Sequence, residues 1–183
     1  WFSGFNGSAG TLAVSREAAG LWTDGRYFIQ ADRQLAGSGI ELMRMAQKDT
    51  PEIPCWLADQ IPENGVMGLD GMVTSVALVK SMEKAFSKKH ITLKDIDFVA
   101  PIWGAERPAV PATEAWILDA AFAGKTPSEK LALLREALQE KEADSMLVTR
   151  LDSVAWLLNL RADDIAYNPF ALAYCLVTPD KAI

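Results

Sequence analysis

An α/β fold, with helices packed on the faces of a mixed or parallel sheet, is predicted for this 183-residue chain by three observations. Short apolar stretches suited to strands recur along it, segments of helical period separate them, and Gly, Pro, Asn and Asp gather at the junctions. Half of the residues (50%) are apolar, which is enough to bury a sizeable core in one large domain or two small ones.

The alternation begins with Thr11 to Val14 and Leu21 to Thr23, which read as two short strands joined by a tight connection through Ser15 to Gly20. The period then changes. Tyr27, Phe28, Ala31 and Leu35 fall at helical spacing within residues 26 to 36, and Asp24-Gly25 supplies a turn and a cap. Ile40 to Met45 reads as a strand with Ile40 and Leu42 on one face and Met43 on the other. A helix at Ile53 to Ile61, a Pro62 to Gly65 turn and a strand at Val66 to Leu69 come next. Thr74 is the expected cap of a helix with Val76, Val79, Met82 and Phe86 on one face, and Ile91 to Leu93 the strand after it.

Pro101, Pro108 and Pro111, with Gly104 between, mark residues 101 to 111 as a linker or surface excursion. Residues 115 to 124 are readable as helix or strand. Thr126-Pro127-Ser128-Glu129 is more specific: a capping threonine, proline at the first helical position and glutamate three after the cap form a capping box. The helix it opens carries Leu131, Leu134 and Leu138 on one stripe, and a strand at Met146 to Thr149 and a helix at Val154 to Leu160 follow. A fresh unit starting there places the domain boundary near Lys125, dividing the chain into 1–124 and 125–183.

Composition closes several classes of function. The net charge is −6 and no basic cluster exceeds Lys88-Lys89-His90, so counterion release gives no basis for nucleic-acid binding. No apolar run reaches the ~20 residues that span a bilayer, so no membrane role is expected, and Trp1 to Gly4 lacks the features of a signal peptide. Cys55 and Cys175 each sit among apolar neighbours and are expected to be buried free thiols, as in a reducing compartment.

Chemistry has few places to reside. A hydrolytic metal site needs several converging ligands, and His90, the one histidine, reads instead as a polar helix end. Asp95/Asp97 and Asp163/Asp164 are too close in sequence to stand across a substrate and read as turns. The glycine-rich run Ser3 to Gly10 lacks the lysine of a phosphate loop and the flanking order of a dinucleotide fingerprint, so it reads as a tight turn feeding the first strand. Ser3 and Ser8 have neither a nearby histidine nor a strand-turn-helix elbow. What remains is Trp22-Thr23-Asp24-Gly25-Arg26-Tyr27. Arg26 falls at the expected first turn of a helix, where a cation gains nothing from the dipole. Either a structural pair with Asp24 or a binding role accounts for it.

Ser3-Gly4-Phe5-Asn6-Gly7-Ser8-Ala9-Gly10-Thr11 and Leu21-Trp22-Thr23-Asp24-Gly25-Arg26-Tyr27-Phe28 closely resemble the first domain of the cytosolic aminopeptidase P family. Lys48-Asp49-Thr50-Pro51 resembles the segment after that family's next strand, and Leu151 to Arg161 with Asn168-Pro169 resembles its second domain. Ala162 and Phe170 depart from the glycine and valine common at those places. The resemblance implies two creatinase-type α/β domains of ribonuclease-H-like topology, then a pita-bread catalytic domain. It implies a chain that lacks its first strand and helix, stops inside the second domain, and has no catalytic domain. It also implies two divalent metal ions, manganese, held by residues of that absent domain, and none held here. The parent is then a cytoplasmic metallopeptidase, a homodimer, acting on peptides with proline at the second position by metal-activated hydroxide attack. Arg26 is implied to bind substrate at the active-site mouth. Two other classes share these domains: a peptidase-like interaction module of histone-chaperone type, and a creatinase-type amidinohydrolase.

Overall fold

The computed structural model describes Trp1–Ile183. The chain divides into two compact units, Trp1–Arg107 and Pro108–Ile183.

In the first unit, β1 (Thr11–Val14), β2 (Ala19–Thr23) and β3 (Ile40–Arg44) form a sheet in that order. β1 and β2 are antiparallel with Leu12 opposite Leu21; β2 and β3 are parallel with Thr23 opposite Arg44. The sheet is therefore mixed, as the alternation predicts. Its two faces feed two cores, because successive side chains of a strand point opposite ways. Ala13, Trp22 and Met43 pack with Trp56, Leu57, Met82 and Phe86 on one side. On the other, Leu21, Ala31 and Leu35 pack with Phe5 and draw in Leu12, Ile40 and Leu42.

Helix α1 (Phe28–Gln34) links β2 to β3; α2 (Ile53–Gln60) and α3 (Val76–Phe86) flank β4 (Val66–Leu69), which pairs in parallel with β5 (Thr92–Asp95). The Trp22 indole N–H donates to the Pro51 carbonyl at 2.8 Å and its ring meets Trp56 edge-on at 5.3 Å, anchoring the start of α2 to β2. The cap of α3 is Ser75, whose hydroxyl accepts from the Leu78 N–H, and not Thr74, which donates to the Asp70 carbonyl. The buried stripe of α3 is correspondingly Met82 and Phe86 with Leu78 beside them, while Val76 is exposed. Residues 101 to 106, expected as linker, continue a short helix, α4 (Val99–Trp103), and a 3-10 turn; the Asp97 carboxylate caps it through the Val99 and Ala100 N–H groups.

The second unit holds β6 (Trp116–Ile117), α5 (Ala120–Ala123), α6 (Pro127–Glu140), β7 (Met146–Val148), α7 (Leu151–Leu158), β8 (Leu160–Arg161) and β9 (Cys175–Val177). The capping box of α6 is formed: Thr126 accepts from the Glu129 N–H while the Glu129 carboxylate accepts from the Thr126 N–H at 2.7 Å. The division at 107/108 precedes the expected 124/125 because Trp116-Ile117 pairs antiparallel with Leu160-Arg161, drawing residues 113 to 124 into the second unit. The two-residue strand and one-turn helix there also explain why 115 to 124 reads both ways. Val148, Val154, Leu157, Cys175 and Val177 form this unit's core, with Leu131 and Leu134 of the α6 stripe against it. Both cysteines are free; Cys175 is buried as expected, but Cys55 faces out from α2, where Pro54, Trp56 and Leu57 take the inward positions.

Candidate functional site

Parallel pairing of β2 with β3 brings the carboxyl ends of both strands to one edge, and the Asp24 to Tyr27 turn leaves β2 there. Open α/β sheets place binding residues on such edges. Helix α1 begins at Phe28 with Tyr27 as its N-cap, so Arg26 precedes the first helical turn instead of lying in it. The reason is local. The Asp24 carboxylate faces Arg26 rather than the helix amides, accepting from the Arg26 backbone N–H at 3.1 Å and from Nε and Nη2 at 2.8 Å each. The paired arginine holds the Asp24 pKa down to about 2, chiefly through the side-chain hydrogen bonds, and the carboxylate raises that of Arg26. The Arg26 side chain is nonetheless 69% exposed.

Beneath it lies an aromatic support. The Arg26 guanidinium carbon sits 5.2 Å from the centre of the Tyr27 ring, and Phe5 meets that ring edge-on at 5.8 Å. The Tyr27 hydroxyl is hydrogen-bonded to Ser8, which lowers the phenol pKa. This gives the glycine-rich run its role. A Cβ at Gly7 would run into the Phe5 ring and stand 2.9 Å from Tyr27 Cδ1, so only glycine lets the loop pass so close. The Ala9 carbonyl accepts from the buried Thr23 hydroxyl at 2.6 Å, and Asn6 accepts from Gln30 at 2.7 Å and Gln34 at 2.8 Å on α1. The sequence reading missed the contacts of Ser8, Asn6, Gln30 and Gln34. Gln30 and Gln34, spaced i and i+4 on a short helix, were the signal for a shared polar partner.

The other candidates are structural. Ser3 accepts from the Phe5 N–H, and His90 ends the turn after α3 in a left-handed conformation, φ 53°. Asp95 accepts from the Gly71 N–H; Asp164 accepts from the N–H and hydroxyl of Thr113 and from the Leu172 N–H, which lowers its pKa. No three His, Cys, Asp or Glu side chains gather so as to hold a metal ion. No helix is long and apolar enough to cross a membrane.

Residues 1–100 and 106–183 each match the family model described as the creatinase/prolidase N-terminal domain. The chain is 41% identical over its full length to a probable Xaa-Pro aminopeptidase P of Pyrenophora teres f. teres, covering 28% of that protein. It is 38% identical over 99% of its length to Xaa-Pro aminopeptidase ApepP of Drosophila melanogaster, covering 30% of that protein. It thus spans less than a third of the length of these relatives. Its fold superposes with a TM-score of 0.89 and 34% identity on X-prolyl aminopeptidase from Caenorhabditis elegans, a cytosolic enzyme with a di-nuclear active site, over 98% of this chain and 29% of that one.

Proposed function

The chain belongs to the creatinase/prolidase N-terminal domain family, and from that premise we propose that it is the non-catalytic, amino-terminal part of a Xaa-Pro aminopeptidase. The observation that carries the reading is similarity to proteins of that activity along the whole chain, in sequence and in fold. The first unit is the first creatinase-type domain and the second is the beginning of another; the first strand and helix of the one, and the pita-bread catalytic domain, lie in further sequence. The parent releases an amino-terminal residue that is followed by proline, works in the cytoplasm, and acts as a homodimer. Free thiols suit a reducing compartment. Met72 and Val73, 91 and 81% exposed on the loop between β4 and α3, suit burial against other parts of the assembly.

Two divalent metal ions, manganese, are implied for that hydrolysis, and the residues present do not fit them: one histidine and no three-ligand cluster. The ligands belong to the catalytic domain, and no step of bond cleavage falls to this chain. Its part is substrate access, with Arg26 at the active-site mouth. The exposed Arg26 side chain, held by two bonds to Asp24, supports that role.

The test is the full-length protein with tripeptides that differ only in proline or alanine at the second position. Cleavage confined to the proline peptide and abolished by chelation supports the reading. Arg26→Ala should lower kcat/KM by roughly ten- to a hundredfold with metal content unchanged. A full-length protein that binds no metal and leaves the proline peptide intact overturns it and points to a peptidase-like interaction module.

A further inference from the structure

Of the four arginine–aspartate pairs, three are joined by a single side-chain bond: Arg44 to Asp32 at 2.9 Å, Arg107 to Asp97 at 2.8 Å and Arg150 to Asp152 at 3.0 Å. Arg26 alone is held by two parallel bonds, from Nε and Nη2, to one carboxylate. It is held from a second direction by the Tyr27 ring, which Ser8 and Phe5 fix in turn, and the loop carrying them is tied to α1 through Asn6. An exposed ion pair adds little to stability, and immobilising a long side chain costs entropy. So many layers of support under an exposed cation are not explained by stability.

We infer that Asp24 is a positioning residue: by occupying the Nε–Nη2 edge of the Arg26 guanidinium, it leaves the Nη1–Nη2 fork facing solvent, shaped for a carboxylate of the peptide substrate. This rests on the reading that Arg26 meets substrate. Nη1 makes no hydrogen bond within the protein, and Nη2 spends one of its two N–H groups on Asp24. The free edge thus presents two parallel donors, the geometry that takes both oxygens of a carboxylate where a lone carbonyl uses one. In a peptide substrate the terminal carboxylate supplies that pair. Asp24 also sets the tilt: its bonds lock Cδ, Nε and the guanidinium plane against Tyr27, so the rotamer is fixed before substrate arrives.

The experiment compares one Xaa-Pro tripeptide as free acid and as carboxy-terminal amide on the full-length, metal-loaded protein. The free acid should have the lower KM, and Arg26→Ala should erase the difference. Asp24→Asn keeps shape and removes charge; it should raise KM for the free acid by about three- to tenfold, the cost of ordering one side chain on binding, and affect the amide less. The Arg26 side chain is 69% exposed and that of Asp24 36%, so neither substitution opens a core and the variants are expected to fold. In the 183-residue chain the Arg26 Nε–H signal should be sharp and slow to exchange in the NMR spectrum, and lost in Asp24→Asn. If Arg26→Ala changes neither peptide, the mouth role of Arg26 fails. If it affects acid and amide equally, the carboxylate assignment fails. If Asp24→Asn loses the ordered signal while KM for the free acid stays put, the positioning role alone is overturned.

Discussion

The Lys130 ammonium lies 2.6 Å from Asn159 Oδ1 with both residues almost fully buried, at 2 and 1% exposure, and no carboxylate accompanies them. Lys130 also donates to the Trp156 carbonyl at 2.8 Å and stands 4.7 Å from the Trp156 ring centre, while the Asn159 amide donates to the Lys125 carbonyl. The cation therefore sits at the carboxyl end of α7, where the dipole favours it, and the network ties that end to the residue before the α6 cap.

Replacing Lys130 by Met should cost about 2 kcal/mol, since a bond from a charged donor is lost and Asn159 Oδ1 is left buried without a donor. Asn159 has φ 53°, so Asn159→Ala should be less stable than Asn159→Gly by about 1 kcal/mol. Urea unfolding, with hydrogen exchange at α6 and α7 amides, reads both. A Lys130→Met protein as stable as the parent would show that the lysine is only tolerated.

The glycine-rich run yields a packing prediction. Gly7→Ala should destabilise by about 1–3 kcal/mol, because the added methyl forces the buried Phe5 ring out of its place against Leu21, Ala31 and Leu35. Phe5→Leu in the same molecule frees that space, so the double variant should be more stable than the sum of the single losses predicts. Strict additivity would place the damage elsewhere.

Much of this architecture is legible in the residues. Two-residue alternation in Ile40 to Arg44 assigns Met43 to one core and Leu42 to the other, and the capping box at Thr126 shows both its bonds. Other features depend on contacts distant in sequence. Trp116-Ile117 is too short to announce itself as a strand and exists because Leu160-Arg161 pairs with it, which moves the division between units. The burial of Lys130 is not announced by its residue type, since lysine is mostly exposed in proteins, although Leu134 of the apolar stripe stands four residues on along the same face. At the candidate site the Asp24–Arg26 pair is visible in the motif; its aromatic floor is not, since Phe5 and Ser8 reach Tyr27 only after folding.

The pair should also be insensitive to physiological pH. The folded Asp24 pKa of about 2 lies below its ordinary 3.8, so its stabilising contribution is complete above about 4 and is lost as pH falls through about 2. NMR titration of the Asp24 carboxyl carbon should show that midpoint in the native chain and a normal one in Arg26→Ala. A midpoint near 3.8 in the native chain would mean that the two bonds do not persist in solution.

The isolated chain should hold no stoichiometric manganese or zinc after dialysis, because no three His, Cys, Asp or Glu side chains gather in one place and several carboxylates are already committed. Asp24 is committed to Arg26, Asp97 to the α4 amides and Arg107, Glu129 to the α6 cap, and Asp164 to Thr113 and Leu172. These bonds lower each pKa without bringing a second acidic group to the same place. At these four places an ion would have to displace native hydrogen bonds to gain one carboxylate, whereas tight sites need three or more converging ligands. Elemental analysis should therefore find well under one equivalent of either metal, and added manganese should leave the melting temperature unchanged, since a ligand stabilises only what it binds in the folded state. Near one equivalent retained, with a raised melting temperature, would show that this part of the molecule builds a centre of its own.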